Sequence, residues 1–108
     1  MKTLFATLAL CSAVASAGQW TGYISDEKCA SASAKAKSAA EWIKPAAFES
    51  CVKKCVKDGS AVVFVTEDNH LYRIDAASMS KVMPQLGHKV MVTGKIEGGT
   101  ITIDSIAN

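Results

Sequence analysis

At Ala61 the hydrophobic pattern of this chain changes from a helical repeat to a repeat of two residues. From there to the C-terminus, apolar and β-branched residues alternate with polar ones or form short runs between turn sequences. Such segments predict β-strands. Glu67-Asp68-Asn69 is one turn sequence, and Gly98-Gly99 is a tight hairpin turn. Four strands are therefore predicted, at residues 61–66, 70–75, 88–97 and 100–106.

The first half of the chain contributes one further strand. Residues 19–25 predict a strand in which Trp20 and Ile24 share a face, and Gly22 between them indicates a bulge or a sharp bend. The segment that follows is different in character. Residues 31–40 are Ala, Ser and Lys only, so they have almost nothing to bury. They predict a solvated helix or a mobile loop.

A longer helix is predicted over residues 46–57. Pro45 suits the first helical position, and Asp58-Gly59 suits the end of a helix. One stripe of apolar residues runs along this segment at helical spacing, formed by Phe48, Cys51, Val52, Cys55 and Val56. The stripe indicates that one face of the helix packs against the rest of the domain.

The order of the predicted elements indicates the fold class. A strand is followed by a helical insertion of about residues 30–59, two strands, a short helix or turn over residues 76–83, and two final strands. Five strands with a helix between the third and the fourth are the order of the OB-fold, a small Greek-key barrel, so the expected fold is a mainly β, five-stranded OB-like barrel. The alternative is an open five-stranded antiparallel sheet with one packed helix. The residues predicted to face one core are Val90, Val92, Ile96, Ile101 and Ile103, together with Val62 or Val63, Phe64 and Trp20.

The N-terminal 17 residues predict export. Lys2 precedes an uncharged apolar run over residues 4–14, and small residues follow at positions 15–17. This is the pattern of a secretory signal peptide, and the run is too short for a membrane span. Cleavage is expected between Ala17 and Gly18, which leaves a single domain of residues 18–108 in the periplasm or outside the cell. Cys11 would leave with the peptide, because Leu10 stands where lipoprotein processing needs a small residue.

Charge and motifs exclude several classes of function. Without Lys2, eleven basic and ten acidic residues remain, which is not the basic surface of a nucleic-acid-binding protein. The sequence holds no serine–histidine–acid set, phosphate loop or nucleotide motif, so we expect no enzyme. The expected partner is a protein or a small ligand. The chain is expected to be a monomer, with a disulfide-linked dimer as the alternative.

The chain also resembles a known family. The matching elements are SDEKC at residues 25–29, CVKKCVKDG at 51–59 and GHKVMVTGKI at 87–96. Their pattern, SDxxC, CVKKCVKxG and GxxVxVTGxI, is similar to that of a family of small secreted bacterial proteins of unknown function. The resemblance covers nearly the whole mature chain and implies an OB-like architecture. Members of that family often carry a histidine a few residues after the first cysteine, and here no histidine lies between Cys29 and Cys51.

Three cysteines are expected in the mature chain, so at most one internal disulfide can form. Cys51 and Cys55 lie four residues apart on the predicted helix, where their Cβ atoms would be about 5–6 Å apart, too far for a bridge. Cys29 is therefore expected to pair with Cys51 or Cys55. Such a bridge would pin the insertion to the barrel, and the closed loop would add about 3 kcal/mol by chain entropy.

The alternative is metal or redox chemistry. Two thiolates at positions i and i+4 of one helix face can bind one ion, and Cys29 would supply a third soft ligand. Such a ligand set suits zinc or copper. The cysteines are thus the candidate site residues under both hypotheses, as a disulfide or as a metal site formed by Cys29, Cys51 and Cys55. The leading function is a binding or envelope-associated module without catalysis or cofactor, and the alternative is a thiol-based metal-binding or redox protein.

Other polar and aromatic residues favour ordinary structural roles. Asp26 is expected to cap backbone amides in a turn, and His70 and His88 are expected at strand edges on the surface. Trp42 and Ile43 are expected to anchor the insertion to the core.

Overall fold

The computed structural model describes residues 16–108, which form a mainly β domain with five strands and a few helices. This confirms the predicted composition of the fold. The strands are β1 Ser16–Asp26, β2 Val62–Thr66, β3 Leu71–Ile74, β4 Lys89–Glu97 and β5 Thr100–Ala107. The helices are α1 Glu27–Ala32, α2 Pro45–Lys57 and α3 Met79–Val82, with 3₁₀ turns at Ala39–Glu41, Ala76–Ser78 and Met83–Gln85. No helix within residues 16–108 combines the length and the apolarity that crossing a membrane requires.

The five strands form a closed ring of hydrogen-bonded neighbours. The ring runs β1-β2-β3-β5-β4 and returns to β1. Four of its pairings are antiparallel, and β3 pairs with β5 in parallel. An open, wholly antiparallel sheet therefore does not describe this arrangement. The hairpin between β4 and β5 is the predicted one, because Gly98 and Gly99 both adopt positive φ.

Strand β1 pairs with β4 along its first part and with β2 along its second, and the two pairings overlap at Gly22. Gly22 belongs to two pairings at once, opposite Thr66 of β2 and opposite Val90 of β4. A Cβ atom at this position would lie 2.2 Å from the Val65 carbonyl oxygen and 2.8 Å from the Phe64 ring. Only glycine permits this close approach of strands, so the glycine at this position has a steric reason, and the bulge or bend that it indicated stays a prediction.

The core follows the predicted alternation. Val90, Val92, Ile101 and Ile103 are buried, together with Phe64 and Val62 of the same face of β2, whereas Val63 is buried on the other face of that strand. Trp20 and Ile96 were predicted to point inward, and both are half-buried and packed against this core. The inward register of β4 and β5 is therefore confirmed.

The helical insertion covers the outer face of β1 and β2. Ile24 pairs with Phe64 on the inner face, so Tyr23 and its partner Val65 lie on the outer one. The Tyr23 ring meets the Phe48 ring of α2 edge-on, with centroids 6.0 Å apart. Both faces of β2 are thus covered, which explains why all five of its residues are buried.

The low-complexity segment 31–40 is held by the β2–β3 turn. Its first two residues end α1 and its last two begin the 3₁₀ turn Ala39–Glu41, so of the two predicted alternatives the loop, and not the helix, describes the middle of the segment. The Asn69 side chain donates hydrogen bonds to the carbonyl oxygens of Ser33 and Ala36, at 2.9 and 3.0 Å. Its Oδ1 accepts a 2.8 Å hydrogen bond from the Trp42 indole. Asn69 therefore holds the middle of this loop and the Trp42 side chain that follows it, and Trp42 also packs against the core, which confirms its predicted anchoring role.

Replacing Asn69 by glycine is expected to destabilise the domain by about 2 kcal/mol, because three hydrogen bonds of roughly 1 kcal/mol each are lost and only partly replaced by water. Glycine is the appropriate change because Asn69 has φ 66°, which glycine adopts without strain. Urea denaturation measures the effect. Trypsin should also cleave the variant faster at the exposed Lys35 and Lys37. An unchanged urea midpoint and cleavage rate would show that Asn69 does not hold the loop.

The predicted signal peptide lies almost wholly outside the described residues and stays a prediction. Ser16 and Ala17 are described, and they begin β1 opposite Ile96 and Lys95. Cleavage after Ala17 would shorten β1 by these two residues.

Candidate thiol and metal centre

The start of α1 fixes the position of Cys29. Asp26 is the last residue of β1 and the N-cap of the helix, and its Oδ2 accepts a 3.2 Å hydrogen bond from the backbone N–H of Cys29. This is the role that aspartate commonly takes at a helix N-terminus, and it confirms the predicted capping role of Asp26. The cap makes the chain turn directly from strand to helix, so Cys29 lies close to the sheet.

The Asp26 carboxylate also ties α1 to the segment after α2. It is fully buried, and Oδ2 accepts a 2.9 Å hydrogen bond from the Ser60 hydroxyl. The same hydroxyl accepts a bond from the backbone N–H of Lys28 at 3.1 Å. Both ends of the insertion therefore meet at one carboxylate. The role of Ser60 and the complete burial of Asp26 were not predicted, because both depend on contacts between segments 34 residues apart.

Helix α2 presents the other two thiols. Phe48 and Val52 of the apolar stripe are buried, and they set the rotation of the helix on the sheet. Cys51 is exposed and Cys55 is half-buried, so these two residues lie at the edge of the buried face. One helical turn separates them, and both side chains lie on the side of α2 nearest to α1.

The three thiol sulfurs converge. Cys29 Sγ lies 3.9 Å from Cys51 Sγ and 4.0 Å from Cys55 Sγ. All three sulfurs lie within 4.8 Å of one another. The predicted grouping of Cys29 with both helical cysteines is thus present as three free thiols. A disulfide needs sulfurs about 2.05 Å apart, so the pairing of Cys29 with Cys51 or Cys55 stays a prediction.

The environment of Cys29 favours its protonated form. Burial raises the pKa of the Cys29 thiol above its ordinary value, and the hydrogen bond and charge of Asp26 and the neighbouring Cys51 raise it further. A thiol in this position is a poor nucleophile on its own. It ionises readily only when a cation replaces its proton, as metal binding does.

A pocket borders Cys55, one of the three thiol residues. It has a volume of about 440 Å³. Glu27 and Lys28 of α1 form one wall, and Asp58, Gly59, Ser60 and Ala61 form the other. Asp58 is paired with Lys54 at 3.3 Å, whereas Glu27 and Lys28 form no ion pair within residues 16–108. The pocket beside Cys55 is therefore lined by one acidic and one basic side chain, Glu27 and Lys28, that are free to bind a ligand.

The two histidines lie away from the cysteines, in surface ion pairs. His70 Nδ1 is 3.6 Å from Asp68 Oδ2, and His88 Nε2 is 3.3 Å from Glu49 Oε2. Thr66 donates a hydrogen bond to Asp68, which lowers the pKa of that carboxyl, and the charge of His70 acts in the same direction. These positions agree with the predicted surface role of both histidines.

A second cavity lies at one end of the strand ring, away from the thiols. Its volume is about 400 Å³, and the half-buried Trp20 and Tyr72 line it beside Thr66, Asp68 and His70. The polar groups at this end already bond one another, as the Thr66–Asp68 and His70–Asp68 contacts show. The thiol group is the better candidate for chemistry, because its three reactive atoms face one point.

No protein-family model matches this chain, and neither curated proteins nor solved structures gave a match. The resemblance to a small secreted OB-like family therefore stays a prediction, and the function must be argued from the site.

Proposed function

We propose that this protein binds one soft metal ion through the thiolates of Cys29, Cys51 and Cys55. The observation that carries the proposal is the spacing of the sulfurs, 3.9 and 4.0 Å from Cys29 to its two partners. Three sulfurs bonded to one zinc ion at about 2.3 Å lie about 3.8 Å apart in a tetrahedral site and about 4.0 Å apart in a planar one. The two distances from Cys29 match these geometries, and the sulfurs of Cys51 and Cys55 lie within 4.8 Å of each other.

The surroundings of the thiols support a cation site. Each cysteine that binds a metal loses a proton, so three thiolates carry three negative charges. The buried carboxylate of Asp26, which accepts a hydrogen bond from the backbone N–H of Cys29, adds a further negative charge beside them. Sulfur ligands select zinc, Cu(I) or a heavier soft ion over magnesium and calcium, which prefer oxygen. The class of metal follows from this ligand chemistry.

The cellular setting belongs to the same proposal. The ring order of the strands and the short α3 between β3 and β4 support an OB-like barrel. The leader predicted at residues 1–17 supports export to the periplasm or beyond. The protein would then meet its metal outside the cytoplasm, as a monomer with one site.

The second candidate is the binding module with a structural disulfide. The approach of Cys29 Sγ to within about 4 Å of both helical sulfurs supports it too, because rotation of the side chains could bring either pair to bonding distance. An oxidising compartment favours such a bridge. A bridge would consume two of the three metal ligands, so the two candidates exclude each other at any one time.

Zinc titration of the reduced full chain against a chromophoric chelator tests the metal proposal. We expect one zinc per chain, and we expect serine in place of Cys29, Cys51 or Cys55 to weaken binding by about 100-fold or more, because even outer groups of metal sites are worth about 10–100-fold. Ser50→Ala is the matched control, since Ser50 is an exposed neighbour of Cys51 on α2 and should leave the affinity unchanged.

Two outcomes would contradict the metal proposal. The first is a reduced protein that binds neither zinc nor Cu(I). The second is equal affinity in the three serine variants and the Ser50→Ala control. Peptide mapping of the unreduced protein completes the test. A Cys29 link to Cys51 or Cys55, together with the absence of metal binding after reduction, would establish the structural disulfide instead.

A further inference from the structure

The thiol site provides three ligands and leaves a fourth position open. No further cysteine, histidine or carboxylate within residues 16–108 joins the group of three sulfurs. Zinc in proteins almost always has four ligands, and an open fourth position is taken by water or by an external molecule. Cys51 is exposed and a pocket borders Cys55, so solvent and small molecules reach two of the three ligands. An external ligand can therefore complete the site.

The pocket beside Cys55 has room for a small molecule, and its lining includes a negatively and a positively charged side chain. Its volume of about 440 Å³ is near the lower end of ligand pockets, which span roughly 300–1,000 Å³. Lys28 can bind a carboxylate, and Glu27 can bind an ammonium group. Neither side chain is engaged in an ion pair in the described part of the chain. Both belong to the wall that α1 contributes to the pocket.

We infer that the fourth ligand is the thiol of a small zwitterionic molecule that carries both an ammonium and a carboxylate group, with free cysteine as the simplest member. This inference rests on the proposed metal function. Its sulfur would bond the metal while Lys28 and Glu27 hold its two charges. The thiol gives its proton to solvent, its sulfur replaces a bound water, and the metal keeps its oxidation state. The site would then exchange metal with small thiols.

Lys28 separates this inference from metal binding itself. It lines the pocket but is not one of the proposed metal ligands, so changing it should leave the zinc affinity intact. Lys28→Gln removes the charge that would hold the carboxylate, and a charge-assisted hydrogen bond of this kind is worth about tenfold in affinity. Lys57→Gln is the matched control, because Lys57 is an exposed lysine of α2 that does not line the pocket.

The experiment is a titration of the zinc-loaded full chain with L-cysteine. Isothermal calorimetry measures the affinity, and native mass spectrometry detects the complex. Serine, which has the charges without the thiol, and 2-mercaptoethanol, which has the thiol without the charges, are the comparison ligands. We expect a ternary complex of chain, zinc and cysteine. Cysteine should bind at least tenfold more tightly than 2-mercaptoethanol, and serine should not bind. Lys28→Gln should weaken cysteine binding about tenfold, and Lys57→Gln should not.

The outcomes distinguish this inference from the function on which it rests. If the reduced chain takes up no zinc, the proposed function fails. If zinc binds but cysteine is no better than 2-mercaptoethanol, or Lys28→Gln has no effect, the inference about the ligand is wrong while the metal site stands. Removal of zinc from the protein by cysteine without a ternary complex would also overturn it.

Discussion

Replacing Val92 by aspartate is expected to unfold the domain or to destabilise it by more than about 4 kcal/mol, a large part of the total of roughly 5–15 kcal/mol for a domain. Val92 is fully buried in the middle of β4, between Trp20 of β1 and Ile106 of β5. A carboxylate there would lose its hydration, with only apolar side chains in the core around it. Near-ultraviolet circular dichroism and a thermal melt measure the loss.

Met91→Asp is the control for this variant. Met91 is the preceding residue of the same strand, and its side chain is 44% exposed on the outer face. The same charge at that position remains hydrated and should change stability by less than about 0.5 kcal/mol. If the Val92→Asp and Met91→Asp variants had the same melting temperature, the inward register of β4 would be wrong.

Gly22→Ala is expected to produce the second largest loss, about 3 kcal/mol or more, which is the upper range for overpacking. The added Cβ would lie 2.2 Å from a backbone oxygen and 2.9 Å from the Thr66 Cα, so backbone atoms would have to move. Because Gly22 pairs with β2 and β4 at the same time, either movement opens the ring. Urea denaturation of the purified variant measures the loss.

Gly18→Ala provides a matched control on the same strand and the same face. A Cβ at Gly18 would meet only the Trp20 ring, at 3.7 Å, which is an ordinary contact. Its stability should therefore stay close to that of the parent. Equal urea midpoints for the Gly22→Ala and Gly18→Ala variants would show that β2 does not approach Gly22 as closely as described.

The parts of the fold that were predicted from the sequence are those fixed by local pattern. Alternation along β4 and β5 and the Gly98-Gly99 turn determine which residues face the core, because a shift of one residue would place Val92 in solvent. Pro45 marked the beginning of α2 in the same way. These signals lie within a few residues of the element that they define.

The insertion could be predicted only in part, because distant residues hold it. Nothing in residues 31–40 indicates where that segment lies, since the hydrogen bonds that fix it come from Asn69, in the turn between β2 and β3. Asn69 was identified only as a turn residue. Its positive φ and its three side-chain bonds depend on the assembled fold.

The cysteine group, too, could be predicted only in part, because contacts between distant residues bring Cys29 to the other two cysteines. The i, i+4 spacing of Cys51 and Cys55 places their thiols on one helix face, and this needs only helical geometry. The approach of Cys29 depends on the Asp26 cap, which turns β1 directly into α1, and on the Ser60 hydroxyl that bonds the same carboxylate. No local pattern specifies that α1 and the end of α2 meet at a buried aspartate.

X-ray absorption spectroscopy of the zinc-loaded, reduced protein tests the central claim most directly, because it counts the sulfur atoms bonded to the metal. The proposed site predicts three sulfur neighbours at about 2.3 Å and one lighter atom when no small thiol is added. A zinc ion bound only by oxygen and nitrogen, or by a single sulfur, would contradict a metal site formed by Cys29, Cys51 and Cys55.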